Sequence, residues 1–492
     1  MSDTFLSDRI PKINELETFL YNTNKKFIED FPIVRIQIAY FLGLVDMEKI
    51  NHKNISKEII FKKLPFNFQS FIQLVKLYLK LGVLRVRSNN LLKNKALVFG
   101  FSEHYKKQNN GESVNLYLSP VKSELKKLEI EFEELLISNN STTVEMTKVR
   151  ALYELLYQYN FLLFTLKAKL FKKYKSYIRE AECIYDFLMK NAMPEPAHCA
   201  NTYFNSKLKH EVSYGTFKQL LKIVKPRLIW TYVYYDNNML ALCRAANLYQ
   251  IPIVEYQHSQ QSDIHFAYSK WNRINSYRDY FPSKFWVWAK SDADRILKNF
   301  VTETYKPEII VGGNIAVIQQ QEVFNYKEPN ASNGILISLT GGWIPDYLQN
   351  IIEKDTKYKW YFRSHPRYPQ DSERLQVFKN RFPEKIETDI ANRLPLYELF
   401  TFVTVNITDA SGTVLEAEYF GIKNIITDDA GRFIFKEKIK CGQFLSVSNE
   451  TEISEILYAS VSNEFEVMAA KDSNLLEKLN KEMCKLFLIG KN

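Results

Sequence analysis

The stretch Ile407 to Asp428, ITDASGTVLEAEYFGIKNIITD, constrains the fold most. Val403 to Ile407 is β-branched and apolar enough for a buried parallel strand, and Ser411-Gly412-Thr413 opens a helix. Gly421 closes that helix before a second strand, Asn424 to Thr427. A strand, a small-residue loop, a helix and a strand in that order form a β-α-β unit, and the unpaired N–H groups of such a helix start suit a phosphate. A second signal lies upstream in FRSHPRYP, where Arg363, His365 and Arg367 follow the strand-like run Tyr358 to Phe362.

The rest of the chain alternates in the same way. Lys95 to Phe101 and Val114 to Leu118 read as the first strands of an α/β domain, followed by a helical insertion over 122–221 that includes ELKKLEIEFEELL. Strands resume with Arg227 to Val233, Ile251 to Tyr256 and Lys284 to Trp288, with a helix from Asn237 to Tyr249 between the first two. Glu308 to Gly313 (EIIVGG) reads as the opening of a second domain, followed by strands Gly334 to Leu339, Tyr358 to Phe362, Glu384 to Glu387 and Phe402 to Ile407. The expected architecture is therefore α/β with two Rossmann-like domains, 91–305 and 306–492, behind a helical accessory region, 1–90. Ligands of such sheets bind at the carboxyl ends of the strands. Here those ends carry Thr340-Gly341-Gly342, His365-Pro366 and Asp409-Ala410-Ser411-Gly412.

With 492 residues, roughly two to four domains are expected. Apolar residues at 46% and charged residues at 25% fit a globular protein, rich in aromatics with 34 Phe and 30 Tyr. No run reaches the roughly 18 apolar residues of a membrane span and the N-terminus has no secretory pattern, so a cytoplasmic protein is expected. Five dispersed cysteines, never in C-x-x-C spacing, argue against a disulfide framework and a zinc site. The net charge of +10 suits an anionic ligand, a membrane surface or nucleic acid. Its densest cluster, Leu166 to Arg179, reads as a basic helix, either a solvated face of a packed helix or a peripheral contact with anionic lipid. No motif with a mechanism supports nucleic-acid binding.

Two Rossmann-like domains with glycine and hydroxyl loops concentrated in the second resemble the GT-B glycosyltransferases. The pairing of His365-Pro366 with Ser411-Gly412-Thr413 is similar to bacterial enzymes that use cytidine-linked donors: sialyltransferases, Kdo transferases and teichoic-acid glycerophosphotransferases. The resemblance implies a metal-independent, inverting transferase that needs no cofactor and moves a sugar from a nucleotide donor to a surface-glycan or lipid-linked acceptor. It also implies that Glu416 holds the ribose hydroxyls. His365 between two arginines can hydrogen-bond a phosphate oxygen or protonate a leaving group. Donor contacts are then expected from Arg363, Arg367, Thr340, Gly341, Gly342, Asp409, Ser411, Gly412, Thr413 and Glu416.

An inverting transferase needs a base for the acceptor hydroxyl. Glu255 and His258 are the first choices, with Asp236, Asp263 and His265 as further acceptor-side candidates. The D/E-D-G-type motif in which cytidine-donor families often carry the base is absent. A nucleotide-sugar epimerase shares the fold and an S-G-x-x-x-E-like loop, and an inactive scaffold in glycan assembly would keep the fold without donor binding.

Overall fold

The computed structural model describes residues 66–107, 113–115, 117–137, 146–170, 173–191, 195–261, 265–273, 278–324, 334–365, 368, 370–458 and 475–488, with Glu15, Thr18, Pro32, Ile33 and Arg35. The chain divides into two compact units at Gly313/Asn314, with residues from Leu479 onward belonging to the first. Each unit is built on one parallel six-stranded sheet. Parallel sheets bury both faces, so their strands must be apolar throughout.

In the first unit, helix α1 (Phe68–Ser88) precedes β1 (Ala96–Phe101). Then come α2 (Leu118–Lys127), β2 (Phe132–Ile137), the long helices α3 (Lys148–Leu170), α4 (Lys173–Lys190) and α5 (Pro196–Val224), and β3 (Leu228–Thr231). The unit continues with α6 (Asn237–Leu248), β4 (Ile253–Tyr256), β5 (Lys284–Val287), α7 (Lys290–Phe300) and β6 (Glu308–Val311). The sheet order is β2-β1-β3-β4-β5-β6. Every residue of β1, β3, β4 and β5 is buried, and Trp230 and Trp286 fill the centre with ring centroids 5.4 Å apart.

Several sequence expectations change here. The run Val114 to Leu118 is not a strand of the main sheet. Ser113–Asn115 forms a two-stranded ribbon with Tyr105–Lys107, and the Asn115 side chain accepts from the N–H groups of Tyr117 and Leu118 to turn the chain into α2. The segment ELKKLEIEFEELL, expected to be one helix, splits at Glu129 (φ +54°) into the end of α2 and strand β2, which pairs in parallel with β1. Helical spacing hid a strand because the apolar residues of FEELLI cluster at its end. Glu308–Val311 pairs with β5 in the first sheet rather than opening the second. Within the basic run Leu166 to Arg179, the described residues are helical on both sides, in α3 as far as Leu170 and in α4 from Lys173. Tyr177 is buried with the Lys207 ammonium over its ring, which points that face into the protein.

The second unit runs α8 (Ile315–Phe324), β7 (Gly334–Ser338), α9 (Asp346–Lys354), β8 (Lys359–Arg363), α10 (Gln370–Arg381), β9 (Ile386–Glu387) and α11 (Asp389–Arg393). It continues with β10 (Val405–Thr408), α12 (Thr413–Tyr419), β11 (Lys423–Ile426), α13 (Asp429–Ile434), β12 (Phe444–Ser446) and α14 (Glu450–Tyr458). Its sheet order is β9-β8-β7-β10-β11-β12, and the closing helix of the chain is α15 (Leu475–Leu488). Apart from Glu308–Val311, the expected strands of this half are present within a few residues, and β12 is added. One polar element crosses the core: Ser338 donates to Asn406, and Asn406 donates to Asn424, whose own amide donates to the Val414 and Ile422 carbonyls. This closed network fixes the register of β7, β10 and β11 at the depth where their ends emerge.

Gly334 starts the central strand β7 where a Cβ would stand 2.0 Å from the Phe402 carbonyl oxygen. A backbone atom cannot rotate away, so Gly334→Ala should destabilise the second unit by about 1–3 kcal/mol, read by chemical denaturation.

Candidate functional site

The carboxyl ends of β7, β8 and β10 bring together most of the donor residues expected from sequence. Asp409, just after β10, organises them. Its Oδ2 accepts from the Thr340 hydroxyl at the end of β7, and its Oδ1 accepts from the Ala410 N–H (2.6 Å) and the Thr408 hydroxyl (3.1 Å). Gly342 lies against the same carboxylate, 3.2 Å from where its Cβ would be. Gly341 takes φ +93°, and the Tyr368 ring lies beneath it, 2.8 Å from a Cβ. That turn is therefore open only to glycine.

At the start of α12 the Ser411 hydroxyl accepts from the Thr413 N–H (3.3 Å) and the Thr413 hydroxyl (3.1 Å). Ser411 thus spends its oxygen on an internal cap, and Gly412 is exposed, with open space where a Cβ would stand. His365, half-buried at the end of β8, packs its ring 5.3 Å from Tyr368. Arg363 donates from Nη1 to the Ala391 and Leu394 carbonyls at 2.7 and 2.9 Å, so it holds the end of α11. Arg367 lies outside the described residues.

Glu416, half-buried on α12, accepts from the Tyr397 hydroxyl at 2.9 Å. Burial pushes its carboxyl up to about 7, opposed by that hydrogen bond and by the nearby Arg363 charge. Near neutrality it can therefore either donate to or accept from a hydroxyl. Tyr397 was not legible as a site residue, because it lies in a segment with no motif of its own, whereas Tyr368 lies inside the FRSHPRYP run and was passed over for its charged neighbours.

In the first unit, the ends of β1, β3 and β4 gather a cluster of aromatic and imidazole rings. The chain turns sharply at Val233 (φ +56°), a left-handed conformation that costs a β-branched residue free energy. The turn aims Tyr232 and Tyr234 inward. The Tyr232 hydroxyl meets His104 Nδ1 at 2.7 Å and the Asn115 amide at 3.3 Å. His258 sits among Tyr117, Tyr232 and Tyr235, with ring centroids 5.6, 6.2 and 5.9 Å away. Its Nε2 lies 3.2 Å from the Tyr235 hydroxyl, and its buried Nδ1 meets no hydrogen-bonding group among the described residues. His265 continues the cluster, 5.0 Å from both Tyr235 and Tyr268. The aromatic run TYVYYD was the available sequence signal for these tyrosines.

The acid–base states revise one expectation. Burial pushes Glu255 up to about 8, opposed by hydrogen bonds from Tyr268 and the Tyr234 N–H, so it carries a proton at neutral pH and is an acid rather than the expected base. Its Oε2 is buried without a partner among the described residues. Burial pushes His258 down to about 3 and His265 down to about 4, leaving both imidazoles neutral at pH 7. Asp236 caps α6 through the Asn238 N–H at 2.7 Å. Asp263 lies outside the described residues.

Near the end of β2, a cavity of about 260 Å³ is lined by Arg150, Glu154, Tyr153, Tyr157, Lys209 and Asn238, among others. Among the described residues, no group of three or more His, Cys, Asp or Glu is set to hold a metal ion, and no helix is long and apolar enough to cross a membrane.

No family model and no curated protein matches the chain. Solved structures match the chain at low similarity. UDP-GlcNAc 2-epimerase from Neisseria meningitidis, bound to UDP-GlcNAc, is 14% identical over 80% of this chain and 99% of its own, with a TM-score of 0.46. The Methanocaldococcus jannaschii UDP-GlcNAc 2-epimerase, in complex with UDP-GlcNAc and UDP, is 16% identical over 80% and 99%, with a TM-score of 0.43. The glycosyltransferase SnogD from Streptomyces nogalater is 10% identical over 80% and 94%, with a TM-score of 0.33.

A carboxyl whose folded pKa is raised favours folding most at low pH, and that contribution is lost as pH rises from about 4.5 through about 8. Glu255→Gln keeps the acceptor for Tyr268 and removes the titration. Between pH 5 and pH 8 the wild type should lose roughly 3 kcal/mol relative to this variant, measured by denaturant unfolding at the two pH values.

Proposed function

We propose that the chain is a nucleotide-sugar-dependent enzyme and, within that class, a metal-independent glycosyltransferase. Its donor is a sugar on a nucleotide, cytidine-linked by the motif resemblance, and its acceptor a surface glycan. The observation that carries the reading is Glu416, a half-buried carboxyl held by Tyr397 beside Arg363, on the helix that follows the Asp409 loop. A carboxyl poised near neutrality and held at one oxygen suits a diol such as the ribose of a nucleotide. The glycine turn at Gly341 and Gly342, tied to Asp409, gives close backbone approach for the phosphates, with Thr413 and Gly412 at the loop's far side. His365 is the proposed partner of the leaving phosphate. His258, a neutral imidazole, is the proposed base toward the acceptor hydroxyl, and His265 and Glu255 support the cluster around it.

A second reading is a nucleotide-sugar epimerase. It is favoured by the coexistence, in one aromatic cluster, of a protonated carboxyl at Glu255 and a neutral imidazole at His258, an acid and a base of the kind that removes and returns a carbon-bound proton.

Incubation with CMP- and UDP-sugars in D2O separates the two. A transferase releases nucleotide on addition of a glycan acceptor and leaves the sugar's carbon-bound hydrogens in place, whereas an epimerase incorporates deuterium without consuming the nucleotide sugar. For the transferase, Glu416→Ala should raise donor KM about tenfold, as loss of hydrogen bonds involving a charged group does. His258→Ala should lower kcat by about 10²–10⁴. Unchanged donor KM in Glu416→Ala would remove the observation on which the proposal stands.

A further inference from the structure

We infer that α1 is a membrane-surface helix that docks the protein on anionic lipid. Eight large apolar side chains on this one helix are exposed, among them Phe68 (76%), Leu79 (65%) and Val86 (80%). At about 100° per residue, Phe68, Val75, Leu79 and Val86 fall within about 20° of a single line along the helix. Phe71, Ile72 and Val83 widen that line into a stripe. The buried residues Leu74, Leu77 and Leu81 lie on the opposite side, where the helix packs on α3 and α5. The exposed stripe is thus not needed to hold α1 in place, and it runs the full 21-residue helix, about 31 Å. Exposed apolar surface of this continuity marks an interaction face.

Charge selects the occupant. The helix contains Lys76, Lys80, Arg85 and Arg87 and no Asp or Glu. Lys76, Lys80 and Arg87 are exposed along one flank of the stripe, where long cationic side chains reach the headgroup layer while the apolar residues enter the acyl boundary. Arg85, on the other flank, is held by Gln219 at 2.8 Å. A second copy packed stripe to stripe would bring two cationic helices together, a like-charge juxtaposition that opposes association. An anionic bilayer complements both features at once, with each basic residue near its surface strengthening binding roughly fivefold. The face is independent of the nucleotide reading, because it lies outside every residue assigned to donor or acceptor.

Co-sedimentation of the full chain with phosphatidylcholine vesicles, with and without phosphatidylglycerol, tests the inference. The wild type should pellet with the anionic vesicles, should stay in solution with phosphatidylcholine alone, and should lose binding as salt is raised. Val75→Glu/Leu79→Glu places charges only on the exposed stripe and should abolish pelleting at an unchanged melting temperature. Lys76→Glu/Lys80→Glu should weaken binding at least about tenfold. A wild type that stays in solution with anionic vesicles overturns the proposal. So does pelleting that Val75→Glu/Leu79→Glu leaves unchanged. A dimer in light scattering that Leu79→Glu dissociates, without vesicle binding, would assign the stripe to a second copy and overturn the lipid docking.

Discussion

The loops at the carboxyl ends of the second unit's strands depend on how one carboxylate is held. Asp409 receives the Thr340 hydroxyl from the loop after β7 and the Ala410 N–H and Thr408 hydroxyl from its own. Beneath it, Gly431 brings α13 so close to the Asp409 carbonyl that a Cβ would stand 1.8 Å from the oxygen. A side chain at Gly431 would push the loop out, and loss of the carboxylate would free Thr340 and leave the Gly341 turn without its anchor. The buried Ser338–Asn406–Asn424 network sits directly below and sets the register from which both loops depart. The loop's conformation thus follows from the sheet beneath it.

The two units solve different electrostatic problems. The first surrounds His258, His265 and Glu255 with tyrosine rings, and desolvation drives all three toward their neutral forms. At pH 7 all three therefore rest in their uncharged states. In the second unit, burial raises the Glu416 carboxyl to about 7, opposed by the Tyr397 hydrogen bond and the nearby Arg363 charge. Arg363 holds the end of α11 while its charge also bears on Glu416, and the Ser411 hydroxyl accepts from the Thr413 N–H and hydroxyl.

Much of this was legible in the sequence, for identifiable reasons. Uniformly apolar strands such as GILIS and LIWT have no alternative burial, and the Ile407 to Asp428 unit declared its strand, helix and glycine stop. FEELLI was hidden because two glutamates interrupt its apolar residues, and only pairing with β1 makes it a strand. Glu308–Val311 was assigned to the wrong sheet because a strand's sequence does not name its neighbour. Residue type placed Glu255 in the cluster, but its protonation state depends on burial, opposed by hydrogen bonds from the Tyr234 N–H and the Tyr268 hydroxyl, 21 and 13 residues from it along the chain. The basic surface was sought at Leu166 to Arg179, where Tyr177 is buried against Lys207. The continuous stripe is on α1, whose buried and exposed faces are both apolar and so cannot be told apart by periodicity alone.

The central claim is that the second unit holds a nucleotide, and a thermal-shift titration of the wild type and Glu416→Ala with CMP, CDP, UDP and GDP tests it most directly. The account predicts stabilisation of the wild type, worth about 2.7 kcal/mol at a hundredfold excess over the dissociation constant, and a much smaller shift for the variant. A cytidine-selective shift supports the cytidine-linked donor. No shift with any nucleotide, in a wild type that melts cooperatively, would contradict the account.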